Sequence, residues 1–198
     1  MAKGLALGTC FGIGCSALAG LNAGTAGSSL PDDQHKFQTQ TNFSYERLFN
    51  FTFRSWFISY MVQLQKQIGK EKFLEMLKEA GSSHYGQRVQ ANFAKIQDKS
   101  VQSLIENFWE PVQKSRFGSS TMTIEIPEKS KKTGTVKMTE CLFAKTFREN
   151  NAADIGYAAI CHADFAVTRE FNPKINLSRN KCLMNGDGCC LFEYNLET

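Results

Sequence analysis

Cys161 and Asp164 lie three positions apart in the segment IGYAAICHADFAVTREFNP, residues 155–173. On a helix that spacing puts a thiol and a carboxylate on one side, with Tyr157 and Thr168 on the same stripe. His162 is adjacent in sequence but turned about 100° away, and is poorly placed to take a proton from Cys161. An aspartate set in mid-helix among Ala, Cys, Phe and Val needs a partner if it is buried. Arg179, where the chain must fold back, is the candidate. A buried carboxylate suits general acid–base work and a thiol beside it suits nucleophilic attack. The plainer alternatives are a small core residue for Cys161 and a solvated or ion-paired carboxylate for Asp164.

The chain has seven cysteines among 198 residues, five of them (Cys141, Cys161, Cys182, Cys189 and Cys190) in the C-terminal part. Five is an odd number and the spacing is not that of a small disulfide framework, so at least one thiol stays free. Side-chain alternation prevents Cys189 and Cys190 from both facing the core of one strand. No Cys-x2-Cys pair is present. A metal site would have to be assembled by the fold from Cys161, Cys182 and Cys190 with Asp164 or His162. Walker, dinucleotide-binding, Gly-x-Ser-x-Gly, His-Glu-x-x-His and zinc-deaminase patterns are all absent from the sequence.

The elements that must position these groups change character along the chain. Residues 42–69 read as one long helix in which Phe43, Leu48, Phe51, Trp56, Phe57, Tyr60, Met61 and Leu64 form an apolar stripe expected in the core. Gly69 ends it. A second helix follows with Gly81 as its expected stop, helical character continues through 86–97, and Ser100 is a cap for the next. Met122, Ile124 and Ile126 alternate with polar residues as in a strand. EKSKKTG, 128–134, reads as a solvated loop, and MTECLFAKTFRENN, 138–151, as a helix. The helix of Cys161 closes at Asn172-Pro173, and 174–196 alternates about Asn-Gly-Asp-Gly, a β-hairpin signal. The expected class is α+β: a helical N-terminal half packed with a small antiparallel sheet that ends in a C-terminal hairpin.

The formal net charge of +4 is mild, and no basic run carries the interleaved aromatics of a nucleic-acid groove. Residues 1–26 have one lysine, an apolar Gly/Ala-rich run over 4–21 and a small-residue cleavage pattern, which predicts an export signal, followed by a linker at 27–40 and one domain over 41–198. The layout is twin-arginine-like but lacks the Arg pair. Export to a bacterial periplasm is expected; the alternative is an anchor formed by residues 4–21, so a membrane enters only through an uncleaved signal.

Residues 139–194, TECLFAKTFRENNAADIGYAAICHADFAVTREFNPKINLSRNKCLMNGDGCCLFEY, resemble the bacterial L-2-amino-thiazoline-4-carboxylic acid hydrolase family. The pattern runs from Glu140-Cys141 through Cys161 and Asp164, Asn172-Pro173 and Arg179, to Gly186-Asp187 with Cys190 and Phe192. The resemblance implies opening of a small cyclic amidine to N-carbamoyl-L-cysteine, or a related C–N or C–S hydrolysis. Asp164 is then the expected base, Cys161 a nucleophile or pocket wall, Glu140 an assisting acid and Arg179 the clamp for a substrate carboxylate. Tyr157, Asn172 and Cys190 complete the expected substrate-binding set. The partner expected is a small-molecule substrate, with no nucleic acid, and no cofactor is expected. The ending Gly-x3-Cys-x-Phe also resembles vinyl-reductase-like domains, so the alternative function is a periplasmic module that binds a small ligand or metal without catalysis.

Overall fold

The computed structural model describes residues 44–197. The predicted export segment and linker, and Phe43, lie outside them. Among the described residues no helix is long and apolar enough to cross a membrane.

The fold is α+β, as the patterning predicts. Ser44 caps α1 (Tyr45–Thr52) by accepting the Arg47 amide, and a π-helical stretch (Phe53–Ile58) leads directly into α2 (Ser59–Ile68). Gly69 closes this rod at φ 93°, a conformation open to glycine. The expected stripe is not the core face: Phe57 and Met61 are half-buried, and the buried residues of the rod are Phe49 and Ile58, outside the stripe. Phe49 and Phe53 pack edge-on against Phe143, and Phe57 packs against Phe147. Leu48, Phe51, Trp56, Tyr60 and Leu64 are exposed. The rod is apolar on more than one side and only one side meets the rest of the protein, so periodicity alone could not say which residues would be covered.

Helix α3 (Lys70–Phe93) runs straight through Gly81 instead of stopping there. The reason is packing: a Cβ at Gly81 would stand 3.2 Å from the Ala159 carbonyl oxygen, so glycine lets α3 approach the backbone beside Cys161. Ser100 caps α4 (Val101–Leu104) as expected, accepting the Ser103 amide at 3.2 Å. A π-helical stretch (Ile105–Trp109), α5 (Glu110–Lys114) and α6 (Arg116–Thr121) complete the first half.

The sheet has antiparallel strands β1 (Met122–Lys129), β2 (Thr133–Cys141), β3 (Ile175–Lys181) and β4 (Cys190–Leu196) in the order β1-β2-β4-β3. Strand β2 corrects the sequence reading. The expected loop over 128–134 is only the turn between β1 and β2, and the residues expected to open a helix at 138–141 finish a strand. Gly134, Val136 and Met138 face inward. Ile124 pairs with Met138 but Thr123 pairs with Glu140, so Thr139 is an extra, bulged residue. The bulge reverses the alternation: Glu140 turns outward and Cys141 inward.

Between β2 and β3 run α7 (Leu142–Glu149), α8 (Ala153–Gly156), a π-helical stretch (Tyr157–Cys161) and α9 (Ala163–Phe171). The expected hairpin forms from β3 and β4, joined by a 3-10 turn (Leu183–Asn185) and Gly186 at φ 102°. Phe192 and Tyr194 of β4 meet Trp109, whose indole Nε1 donates to the Tyr194 hydroxyl at 2.7 Å. At Gly156 an added Cβ would fall 2.7 Å from the Phe147 ring and 2.8 Å from the Met184 thioether, locking the π-helical stretch to the 3-10 turn. Gly156→Val is expected to destabilise the protein by roughly 1–3 kcal/mol through this overpacking, read as a lower midpoint in urea unfolding.

Candidate active site

Arg179 is the hub on which the helical stripe converges. Between the Ser178–Glu193 and Lys181–Leu191 pairs of the hairpin there are two residues on β3 for one on β4, so Arg179 sits on a bulge of an edge strand, a device that re-aims a side chain. Its side chain is 1% exposed. Nη1 donates to Asp164 Oδ2 at 2.7 Å and to the Cys161 carbonyl at 2.9 Å. That carbonyl is made available by the π-helical stretch. The His162 amide reaches back five residues to Tyr157, and the Phe165 amide turns to His162, leaving the Cys161 oxygen to the guanidinium. The rings of Tyr157, Phe165 and Phe192 surround the cation at 5.1–5.5 Å from its centre, within cation–π range.

Nε and Nη2 of Arg179 are buried and, among the described residues, have no hydrogen-bond partner of ordinary geometry, although the Tyr157 hydroxyl is near enough to favour the charged form. These two nitrogens form the side-on edge of a guanidinium, whose parallel N–H groups match a carboxylate. Burial works against the Arg179 charge, but Asp164 and the neighbouring thiols outweigh it and hold the group charged. Asp164 keeps 22% of its side chain exposed. Burial, helped by the negative charge at Cys182, pushes its carboxyl up to about 6 against the pull of Arg179.

The fold adds Cys182, which the sequence reading weighed only as a metal ligand and not as a catalytic or substrate-binding residue. It follows β3 directly and is 3% exposed. Lys181 pairs with Leu191, which makes Cys182 and Cys190 neighbours across the hairpin. The neighbouring thiols of Cys161 and Cys190 favour the charged form of Cys182, with the Met184 amide and the Arg179 charge adding to them, and together they hold Cys182 well below the ordinary thiol range. Cys161 and Cys190 are correspondingly raised, each first by the neighbouring Cys182 and then by burial. Cys190 Sγ also accepts the Leu183 amide at 3.2 Å, and Asp187 fixes the turn by accepting the Cys182 amide at 2.7 Å. Of the three sulfurs, Cys182 is the one whose charged form these surroundings favour, with two thiols and a guanidinium around it. Among the described residues all five cysteines are free, and no three His, Cys, Asp or Glu side chains meet as metal ligands.

Not every expected site residue joins this centre. Tyr157, Cys161, Asp164, Arg179 and Cys190 do. Asn172 does not: its amide donates to the Lys99 carbonyl and its Oδ1 accepts the Lys174 amide, which ends α9 and starts the turn into β3. Glu140 is turned away by the Thr139 bulge and bonds to the Thr123 hydroxyl. His162 packs against Tyr157 and Phe165, and burial lowers its affinity for a proton. An open cavity of about 750 Å³ lies beside the centre instead of containing it, lined by residues of α6, β1, β2 and α7 and by Leu183. Glu140 and Cys141 line it; Cys161, Asp164 and Arg179 do not.

The family model for L-2-amino-thiazoline-4-carboxylic acid hydrolase matches residues 50–194. The chain belongs to that family. The match extends well upstream of the residues that carried the resemblance, so the family's extent includes the helical half as well as the centre around Arg179. No curated protein matches the chain significantly. Among solved structures, trafficking protein particle complex subunit 3 from Naegleria fowleri, covalently bound to palmitic acid, is similar at 13% identity with a TM-score of 0.45, covering 77% of this chain and 95% of that one. At that level the likeness says nothing about what this hydrolase family member does.

Proposed function

We propose that the protein is a hydrolase that opens a small cyclic amidine of the L-2-amino-thiazoline-4-carboxylate type to N-carbamoyl-L-cysteine. The observation that carries this reading is the convergence of Asp164 and the Cys161 carbonyl on the buried Arg179 guanidinium, whose Nε and Nη2 make no ordinary hydrogen bond among the described residues, beside Cys182, a thiol held below its usual range. Family membership supplies the substrate class.

In this reading the Arg179 edge takes the substrate carboxylate, and the Cys182 sulfur bonds to the amidine carbon. The ring C–S bond breaks, and the departing sulfur takes the proton that the Cys161 thiol offers. The intermediate is an S-linked isothiourea that keeps every substrate atom. Water then adds to the same carbon while Asp164 takes its proton and returns it to Cys161. The bond to Cys182 breaks and the thiolate is restored. The two protons of the water end on the ring nitrogen and the released sulfur. The same proposal takes residues 1–26 as the export signal of a periplasmic enzyme and 41–198 as its single domain.

The test is turnover. Protein supplied with L-2-amino-thiazoline-4-carboxylate is expected to release one titratable thiol per molecule consumed, with N-carbamoyl-L-cysteine as the product. Unchanged substrate after prolonged incubation with folded protein would overturn the reading.

A further inference from the structure

The open cavity beside the centre has a charge pattern of its own. Lys145 pairs with Glu46, and Glu149 adds a second carboxylate to the same cluster at the rim. Two further charges, opposite in sign, line the same cavity. Glu140 is held by the Thr123 hydroxyl, and among the described residues no cation pairs with it. Arg148 reaches only the Leu183 carbonyl, at 3.5 Å, and among the described residues no carboxylate pairs with it. Both line the cavity, with Cys141 between them in sequence at the start of α7. A small molecule that carries a cation at one end and an anion at the other can place a charge-assisted hydrogen bond on each.

Leu183 gives the cavity a connection to chemistry. It lines the cavity, its amide donates to Cys190 Sγ, and it follows Cys182 directly. Cys141, on the same wall, feels the charges of Asp164 and Cys182 on its other side. Leu183 is thus shared between the cavity wall and the turn that carries Cys182.

We propose that the cavity is a docking site for a small zwitterion in which an amidinium meets Glu140 and a carboxylate meets Arg148. The ligand waits there before passing Leu183 to the buried centre. The choice of an amidinium as the cation rests on the hydrolase reading; the requirement for opposite charges at the two ends does not.

Protection of Cys141 from alkylation tests the site without turnover, using iodoacetamide and peptide mass spectrometry on the full chain, with Cys189 as the internal reference. L-2-amino-thiazoline-4-carboxylate is expected to slow labelling of Cys141 relative to Cys189 by about tenfold, the scale of one charge-assisted hydrogen bond. Its methyl ester and 2-amino-thiazoline, which lack the carboxylate, are expected to leave labelling unchanged. Glu140→Gln and Arg148→Met should each remove most of the protection. Calorimetric titration of the same ligands should give the same ranking and decides the matter if Cys141 labels slowly. Equal binding of the ester and the acid, or protection untouched by either variant, would overturn the site. Turnover without protection would sink this site and leave the hydrolase reading standing; protection without turnover would do the reverse.

Discussion

Cys182→Ala is expected to reduce ring opening by at least about a thousandfold, because it removes the bonding atom itself. The neighbouring thiols should behave differently. Cys161→Ala and Cys190→Ala each remove one of the two neighbouring thiols that favour the charged form of Cys182. Their expected effect is a rise in the pH at which Cys182 ionises, seen as a rightward shift of the acid limb of kcat/KM, with much of the rate recovered in alkali. Serine at 161 should restore the donor and most of the shift. Loss of activity at Cys161 with retention at Cys182 would reverse the assignment and make Cys161 the nucleophile.

Asp164→Asn is expected to lower kcat by about 10²–10⁴, the usual worth of a positioned base. The wild-type rate should rise through about pH 6, where Asp164 loses its proton, and the variant should lack that limb. Stability carries a second signature with a fixed sign. The folded-state value is above that of an unfolded aspartate, so between about pH 4 and 6 the folded protein binds more protons than the unfolded chain. The contribution of Asp164 is therefore fully present below pH 4 and is lost as pH rises through 6. Its full span is on the order of 3 kcal/mol, from a shift of about two pH units in a group that is mostly enclosed. Urea unfolding of wild type and Asp164→Asn across this range should give curves that diverge by that amount. Parallel curves would mean that Asp164 is not held in the environment described.

The stripe of Tyr157, Cys161 and Asp164 was legible because helical spacing survives the insertion of a π-helical turn well enough for all three to meet one guanidinium. Arg179 was legible as a partner because a strand had to return beside that helix. Cys182 could have been found by hairpin arithmetic: once Gly186 is the turn, residues 182 and 190 stand opposite each other. Its contact with Cys161 is tertiary and has no periodic signal. Glu140 was placed in a helix because Leu142, Phe143 and Phe147 space helically, whereas the strand before them runs on to Cys141, and the bulge at Thr139 that turns Glu140 outward leaves no mark in a hydrophobic pattern. Gly81 was misread because a glycine that ends a helix and a glycine that lets two backbones approach are identical in sequence. The exposed side of the N-terminal rod was misread for a related reason: periodicity locates apolar residues but does not show where a partner element runs out.

The account stands or falls on a covalent bond at Cys182. Protein mixed with excess L-2-amino-thiazoline-4-carboxylate, quenched in acid within the first turnovers and weighed intact, is expected to show a species heavier by the whole mass of the substrate, located on Cys182 by peptide mapping. The species should build up in Asp164→Asn, where its hydrolysis is slowed, and be absent from Cys182→Ala. Turnover at the wild-type rate in Cys182→Ala, with no adduct in any variant, would contradict the account.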